Sequence, residues 1–248
     1  MTFKLVIVIA TIGILLILES KFPFFKFPNS LRSRITNNFE LGAINSLLSS
    51  LFAVAVSSSK LLSSGHLGLF TQISEPAIAG GLAFLVLDLY MYLWHRSMHT
   101  IPIAWRFHRL HHTDRTMNVS TAYRFHPIEI ISSSIPKLAL IWWLAIPSSS
   151  VLIYELVFTV VVALHHSNLN LPASLDRILS SVILTPNYHR IHHSQIVSET
   201  NSNYASVLIW WDRLFGTHKS CPNISDIQLG IADETRELNI WQFLGFRL

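Results

Sequence analysis

Residues 76–112 read PAIAGGLAFLVLDLYMYLWHRSMHTIPIAWRFHRLHH, and this stretch decides the fold. Up to Trp94 it is apolar except for Asp88. A run of about 20 apolar residues is what an α-helix needs to cross a bilayer. Five histidines follow at once: His95, His99, His108, His111 and His112. The stretch therefore predicts a membrane-spanning helix that delivers imidazoles at its end.

Working outward, residues 4–19 form another apolar run. Signal peptides carry a small-residue cleavage pattern, which is missing here, and KFPFFKFP (21–28) follows instead, so an uncleaved anchor is expected. Residues 41–62 form a span weakened by serines. Residues 129–146 and 151–166 read as a helical hairpin around Pro147-Ser148-Ser149-Ser150. The composition agrees: half of the 248 residues are hydrophobic and only 13% are charged, against about 25% in soluble domains. That balance excludes disorder, coiled coil and a charged nucleic-acid-binding surface. The expected class is an all-α integral membrane protein with four to five transmembrane helices and a cytosolic histidine-rich helical cap.

Basic residues set the expected orientation. Segments 20–40, 95–128 and 167–248 hold 15 of the 18 lysines and arginines, and with five spans all three fall on one side. Positive charge favours the cytoplasmic side, so these segments are expected there and the N-terminus outside. The net charge of +4 thus reflects membrane orientation rather than nucleic-acid binding. Lys60 sits at a span end and can snorkel. Lys137 fits poorly inside an apolar span; it either faces protein or marks that span as partly interfacial. Tail residues Trp241, Phe243 and Phe246 suit the membrane surface.

The histidines carry the chemistry. Besides His95-x-x-x-His99 and His108-x-x-His111-His112, the chain has His189-x-x-His192-His193. Residues three and four apart share a helix face, and neutral imidazole is a ligand for iron, zinc, copper or nickel. Eight such ligands exceed what one tetrahedral ion uses and fit two ions with open positions. His126 and His166 lie at the same expected membrane depth and are candidate ligands. His165 points elsewhere on its helix and reads as structural, and His66 and His218 as uninvolved. A transmembrane haem needs histidines paired within spans, whereas these begin at span ends. The single cysteine, Cys221, excludes a cysteine-rich metal site. Asp88 shares a helix face with His95 and is expected to hold a ligand histidine's second nitrogen, the alternative being a hydrogen bond between helices. Asp114, Glu129 and Asp212 are weaker candidates for that role.

Six blocks in one order, DLYMYLWHRSMH (88–99), HRLHHTD (108–114), RFHPIE (124–129), HSNLNLP (166–172), TPNYHRIHHS (185–194) and NYASVLIWWDRLFGT (203–217), resemble the fatty acid hydroxylase / sterol desaturase superfamily. Asn203-Tyr204-Ala205 and Tyr188 depart from the common pattern, which bears on the substrate. The resemblance implies a non-haem centre of two iron ions held by His95, His99, His108, His111, His112, His126, His166, His189, His192 and His193. It implies dioxygen as co-substrate, hydroxylation or desaturation of a membrane lipid, and electrons from a separate ferredoxin- or cytochrome-type carrier with its reductase. The expected organisation is an anchor (1–75), a di-iron domain (76–220) and a cytosolic tail (221–248). A zinc-dependent membrane hydrolase and a non-enzymatic metal-binding membrane protein are the alternatives. The first needs no reductant, and the second forms no product. The sequence sets no oligomeric state.

Overall fold

A computed structural model describes residues 2–27, 31–58, 67–234 and 242. Among them the chain is helical, with three isolated β-bridges and no strand. Lys60, His66, Trp241, Phe243 and Phe246 lie outside the described residues. The long helices are α1 (Thr2–Lys21), α2 (Arg32–Ser58), α3 (Pro76–Thr100), α5 (Pro127–Leu144) and α6 (Ser148–His166); α4 (Pro102–His112) is shorter. Short helices α7 (Ala173–Leu179), α8 (Pro186–His192), α9 (Val197–Thr200) and α10 (Trp210–Leu214) follow.

Prolines place the corners. A residue before proline is pushed out of the helical region, and Ile101 is extended (φ −98°, ψ 115°), which stops α3. Pro102 then starts α4, where its missing N–H costs nothing. The resulting bend turns His95 and His99 of α3 to face His108 and His112 of α4. Pro127 and Pro186 open α5 and α8 in the same way. Helix α5 ends at Ala145, which takes the left-handed conformation (φ 56°, ψ 46°), and α6 starts three residues later. The expected turn is therefore present, but α5 packs on α2 and α4 rather than lying along α6.

Helices α3 and α6 are each long and apolar enough to cross a membrane. The other expected spans fall on α1, α2 and α5, with 59–62 outside the described residues. Helix α3 packs on α4 and α6, α6 on α1 and α8, and α2 on α5 and the turn Val119–Tyr123. Gly42 lets α2 lie against that turn: a Cβ there would sit 2.8 Å from the Tyr123 Cβ.

Polarity is distributed the opposite way from a water-soluble protein. Leu5, Ile9, Leu82, Leu93, Leu152 and Ile153 are exposed, whereas Asp88, Asp114, Arg124, Arg190 and Asp212 are buried. These five are hydrogen-bonded, as burial demands. Arg124 donates to the Leu110 carbonyl (3.0 Å), Asn38 Oδ1 (3.0 Å) and Thr113 Oγ1 (2.6 Å). Asp114 accepts from Thr121 (2.8 Å) and Asn38 (3.3 Å), so this network ties α2 to the end of α4. Arg190 donates to the Ser167 and Leu169 carbonyls and lies 4.1 Å from the Phe24 ring.

Asp88 belongs to this scaffold, not to the histidines, contrary to the sequence expectation. Its Oδ2 accepts from the Leu208 N–H and from Trp211 Nε1, both at 2.9 Å, and the Tyr154 hydroxyl donates to Oδ1 at 3.3 Å. It pins α3 to α6, to α10 and to the segment before α10. Asp88→Asn turns an NH2 group toward these donors. Orphaning one costs about 1–3 kcal/mol. The expected outcome is a melting midpoint in detergent lowered by about 5 °C with metal per folded chain unchanged. Thermal unfolding combined with metal analysis checks both.

Candidate metal centre

Nine histidines converge in two adjacent groups. His95, His99, His108, His112 and His192 form one; His111, His166, His189 and His193 form the other. Within each group, one ring nitrogen per residue lies within 4.8 Å of the others. The groups touch, with the His112 and His193 rings stacked at 4.5 Å.

The two H-x-x-H-H motifs divide between the groups in a reciprocal way. His108 and His112, four apart and on one face of α4, go to the five-histidine group, while His111 goes to the other. In α8 the roles are exchanged. His189 and His193 join the four-histidine group, and His192 crosses to the first. A pair at i and i+4 with a third residue at i+3 lets one helical turn serve two centres. This arrangement gives a physical reason for the repeated spacing.

Acceptors behind the rings fix their orientation. Nδ1 of His95 donates to the Tyr204 carbonyl (2.8 Å), His192 to Ser202 (2.7 Å) and His166 to Val162 (2.7 Å). His108 Nδ1 meets Glu129 Oε1 at 2.8 Å. A proton held on Nδ1 leaves the lone pair on Nε2, facing inward. The carbonyls of 202 and 204 flank Asn203, which is left-handed (φ 51°) and is gripped by its side chain to the Tyr188 and Lys219 carbonyls. Asp212 accepts from the Tyr204 and Ala205 N–H groups at 2.8 and 2.9 Å and holds the same loop. Sequence reasoning missed the roles of residues 202 and 204, because a backbone carbonyl leaves no side-chain signature.

The inward nitrogens suit a cation better than each other. His166 Nε2 lies 3.0 Å from His111 Nε2 and 2.9 Å from His189 Nε2, and His189 lies 3.2 Å from His193. With its proton on Nδ1, His166 offers one lone pair to two neighbours, and His189 has no second proton for His193. Hydrogen bonds alone leave the cluster unsatisfied. Ligands about 2.0–2.1 Å from one metal ion lie about 2.9–3.4 Å apart at ordinary coordination angles, which matches these separations. In the other group His108 and His112 are 3.3 Å apart, and Nε2 of His95 and of His192 and both nitrogens of His99 are buried without a partner. Burial, followed by the neighbouring imidazoles, holds His111, His112, His189, His192 and His193 well below the ordinary histidine range. They are neutral at pH 7, with lone pairs available.

Three further histidines stand apart. His126 is not brought to either group: its Nδ1 accepts from the Ile128 N–H (3.1 Å) and caps α5, with the ring against Phe107. That lone pair serves the helix terminus, which corrects the expectation that His126 joins the others. His165 is outside both groups, although its ring centre lies 4.1 Å from that of His189. His218 packs on Tyr188.

A cavity of about 290 Å³ reaches both groups from the α5–α6 side. His95, His108, His111 and His166 line one end, and Trp94, Phe158 and Val162 form apolar walls.

Comparisons with known proteins point to one family. Ornithine lipid hydroxylase OlsE from Rhizobium tropici is 33% identical over 61% of the chain and 45% of its own length. Alkylglycerol monooxygenase from Homo sapiens is 37% identical over 56% of the chain and 30% of its own length. Fatty acid hydroxylase vlmA from a Lecanicillium species is 30% identical over 54% of the chain and 40% of its own length. The chain thus spans less than half the length of these relatives. No solved structure matches it. The fatty acid hydroxylase family model matches residues 81–217, which include all nine converging histidines and the loop that orients two of them, and the chain belongs to that family.

Proposed function

We propose that the chain is a multi-pass membrane oxygenase that hydroxylates a lipid, with two iron ions in its histidine groups and the histidine layer on the cytoplasmic side. The interleaving of two imidazole groups through reciprocal H-x-x-H-H turns carries this reading. The relatives, a lipid hydroxylase, a monooxygenase and a fatty acid hydroxylase, support it. One C–H bond, one dioxygen, two electrons and two protons become one C–O–H and one water. The electrons come from a separate carrier.

The four-histidine group and the five-histidine group would each hold one ion, and the bound pair supplies the redox capacity to reduce dioxygen. The protein does the rest. Glu129 and the carbonyls of 162, 202 and 204 hold the rings and keep the protons on Nδ1. Trp94, Phe158 and Val162 exclude water from the chamber and present an alkyl chain to the histidine end. Neutral imidazoles suit iron, but they suit zinc as well. A zinc hydrolase usually keeps three protein ligands and an open position, whereas these groups offer four and five.

Metal analysis of protein purified in detergent is expected to give two irons per chain, and lipid product is expected only with both dioxygen and a reductant. Product formed without dioxygen, or by zinc-loaded protein, would overturn the reading. Glu129→Gln is expected to lower iron occupancy or turnover about 10–100-fold, as losses behind a metal ligand do. Iron titration read alongside turnover checks this, and unchanged values for both would show that Glu129 does not support His108.

A further inference from the structure

A second cavity, of about 510 Å³, lies between α1, α2 and α6 beside the histidine chamber. The two share Ala122, Phe125, Ile130 and Glu155 as a common wall. Both linings mix polar and apolar groups: Glu129, Ser133, Ser134 and Lys137 face the histidine chamber, and Lys4, Asn45, Ser49 and Tyr123 face the second cavity. Phe125 joins them: its ring stacks on His111 at 4.3 Å, and its carbonyl accepts from Asn45 Nδ2 at 2.8 Å.

Two observations point to a ligand. Asn45 is only 7% exposed, yet its Oδ1 has no hydrogen-bond partner. A buried acceptor left bare is costly, so a ligand with an O–H or N–H donor is favoured there. Charge is the second. Glu155 pairs with Lys137 and, at 3.5 Å, with Lys4. Two ammonium groups face one carboxylate, and the Lys4 side chain is 43% exposed. An acceptor oxygen is therefore also favoured. A hydroxyl group supplies both. These contacts give Lys137 and the polar face of α2 a role that a plain membrane span does not.

We infer that the cavity between α1 and α2 is a headgroup site for a hydroxyl-bearing lipid, whose chain passes Phe125 into the histidine chamber. The inference rests on the lipid-oxygenase reading and specifies its substrate class. Asn45 Oδ1 accepts from a headgroup hydroxyl, and Lys4 donates to a headgroup oxygen. The paired Glu155 and Lys137 stand about 16 Å below His166 along α6, by helical rise, and close the chamber floor.

Binding to the full-length, as-purified protein in phosphatidylcholine nanodiscs tests this. The probes are a 1-monoacylglycerol and the methyl ester of the same acyl chain, which lacks hydroxyls. The wild type is expected to bind the monoacylglycerol about tenfold more tightly, a difference of one good hydrogen bond. Asn45→Leu and Lys4→Gln are each expected to remove most of that preference while methyl ester binding stays the same. Ser49→Phe, which fills the cavity and leaves both polar groups in place, is expected to remove it as well. Lys4 is half exposed, so its substitution tests the site even if Asn45→Leu fails to fold. Equal binding of the two probes by the wild type, or an unchanged preference in Lys4→Gln and Ser49→Phe, overturns the inference. Chain oxidation in the same samples reports on the oxygenase reading separately, because headgroup preference is read from binding alone.

Discussion

Nine imidazoles packed into two touching groups, four of them with Nδ1 held by a carbonyl or a carboxylate, are the constraint on which the rest of the structure depends. Lone pairs repel, and no proton count satisfies His111, His166, His189 and His193 together at 2.9–3.2 Å. Such an arrangement persists only if the surrounding chain fixes every ring or a cation joins them. The fold holds His95, His108, His166 and His192 by hydrogen bonds and positions the helices that carry the others. The Ile101-Pro102 corner sets α3 against α4, the Arg124–Asp114–Asn38 network anchors α4, and the loop held by Asp212 presents two carbonyls to two rings. Charges usually expensive to bury are tolerated here because each is spent on positioning backbone that would otherwise lack partners.

Much of this was legible in the sequence, for reasons of periodicity. An apolar run of helical length followed by histidines at i, i+4 predicts both α3 and its ligating end, and the turn between α5 and α6 follows from Pro147 and its serines. Spacing also showed which histidines share a helix face. It did not show how the faces divide, because that depends on the angle at which α4 meets α8. The split of each H-x-x-H-H between two groups is a tertiary fact.

The two corrected residues show where periodicity misleads. Asp88 and His95 are seven apart and share a face, but two helical turns put them about 10.5 Å apart along the axis. A common face is therefore not a contact, and the Asp88 carboxylate binds what lies beside it: an indole, a phenol and a backbone N–H. His126 precedes Pro127 at the start of α5, where backbone N–H groups lack acceptors. Its Nδ1 lone pair answers the Ile128 N–H. Glu129, one turn into the same helix, reaches His108 instead. The carboxylate that supports a ring was thus found by proximity across the chain, not along it.

Helices α3 and α6 both deliver histidines from their C-terminal ends, so they run in the same direction toward the metal groups. Their N-terminal ends, at Pro76 and Ser148, then point the opposite way. The connecting residues there, 59–75 and 145–147, contain a single lysine, Lys60, and no arginine. Basic residues instead crowd the histidine end, at Arg96, Arg106, Arg109, Arg115 and Arg124. Two helices that run the same way in one chain need a connection back, and α5, from Pro127 to Leu144, is that connection. The mixed character of α5, with Glu129, Pro136 and Lys137 among its apolar residues, then follows from its position: it lines the chamber on one side, where polar groups meet protein rather than lipid.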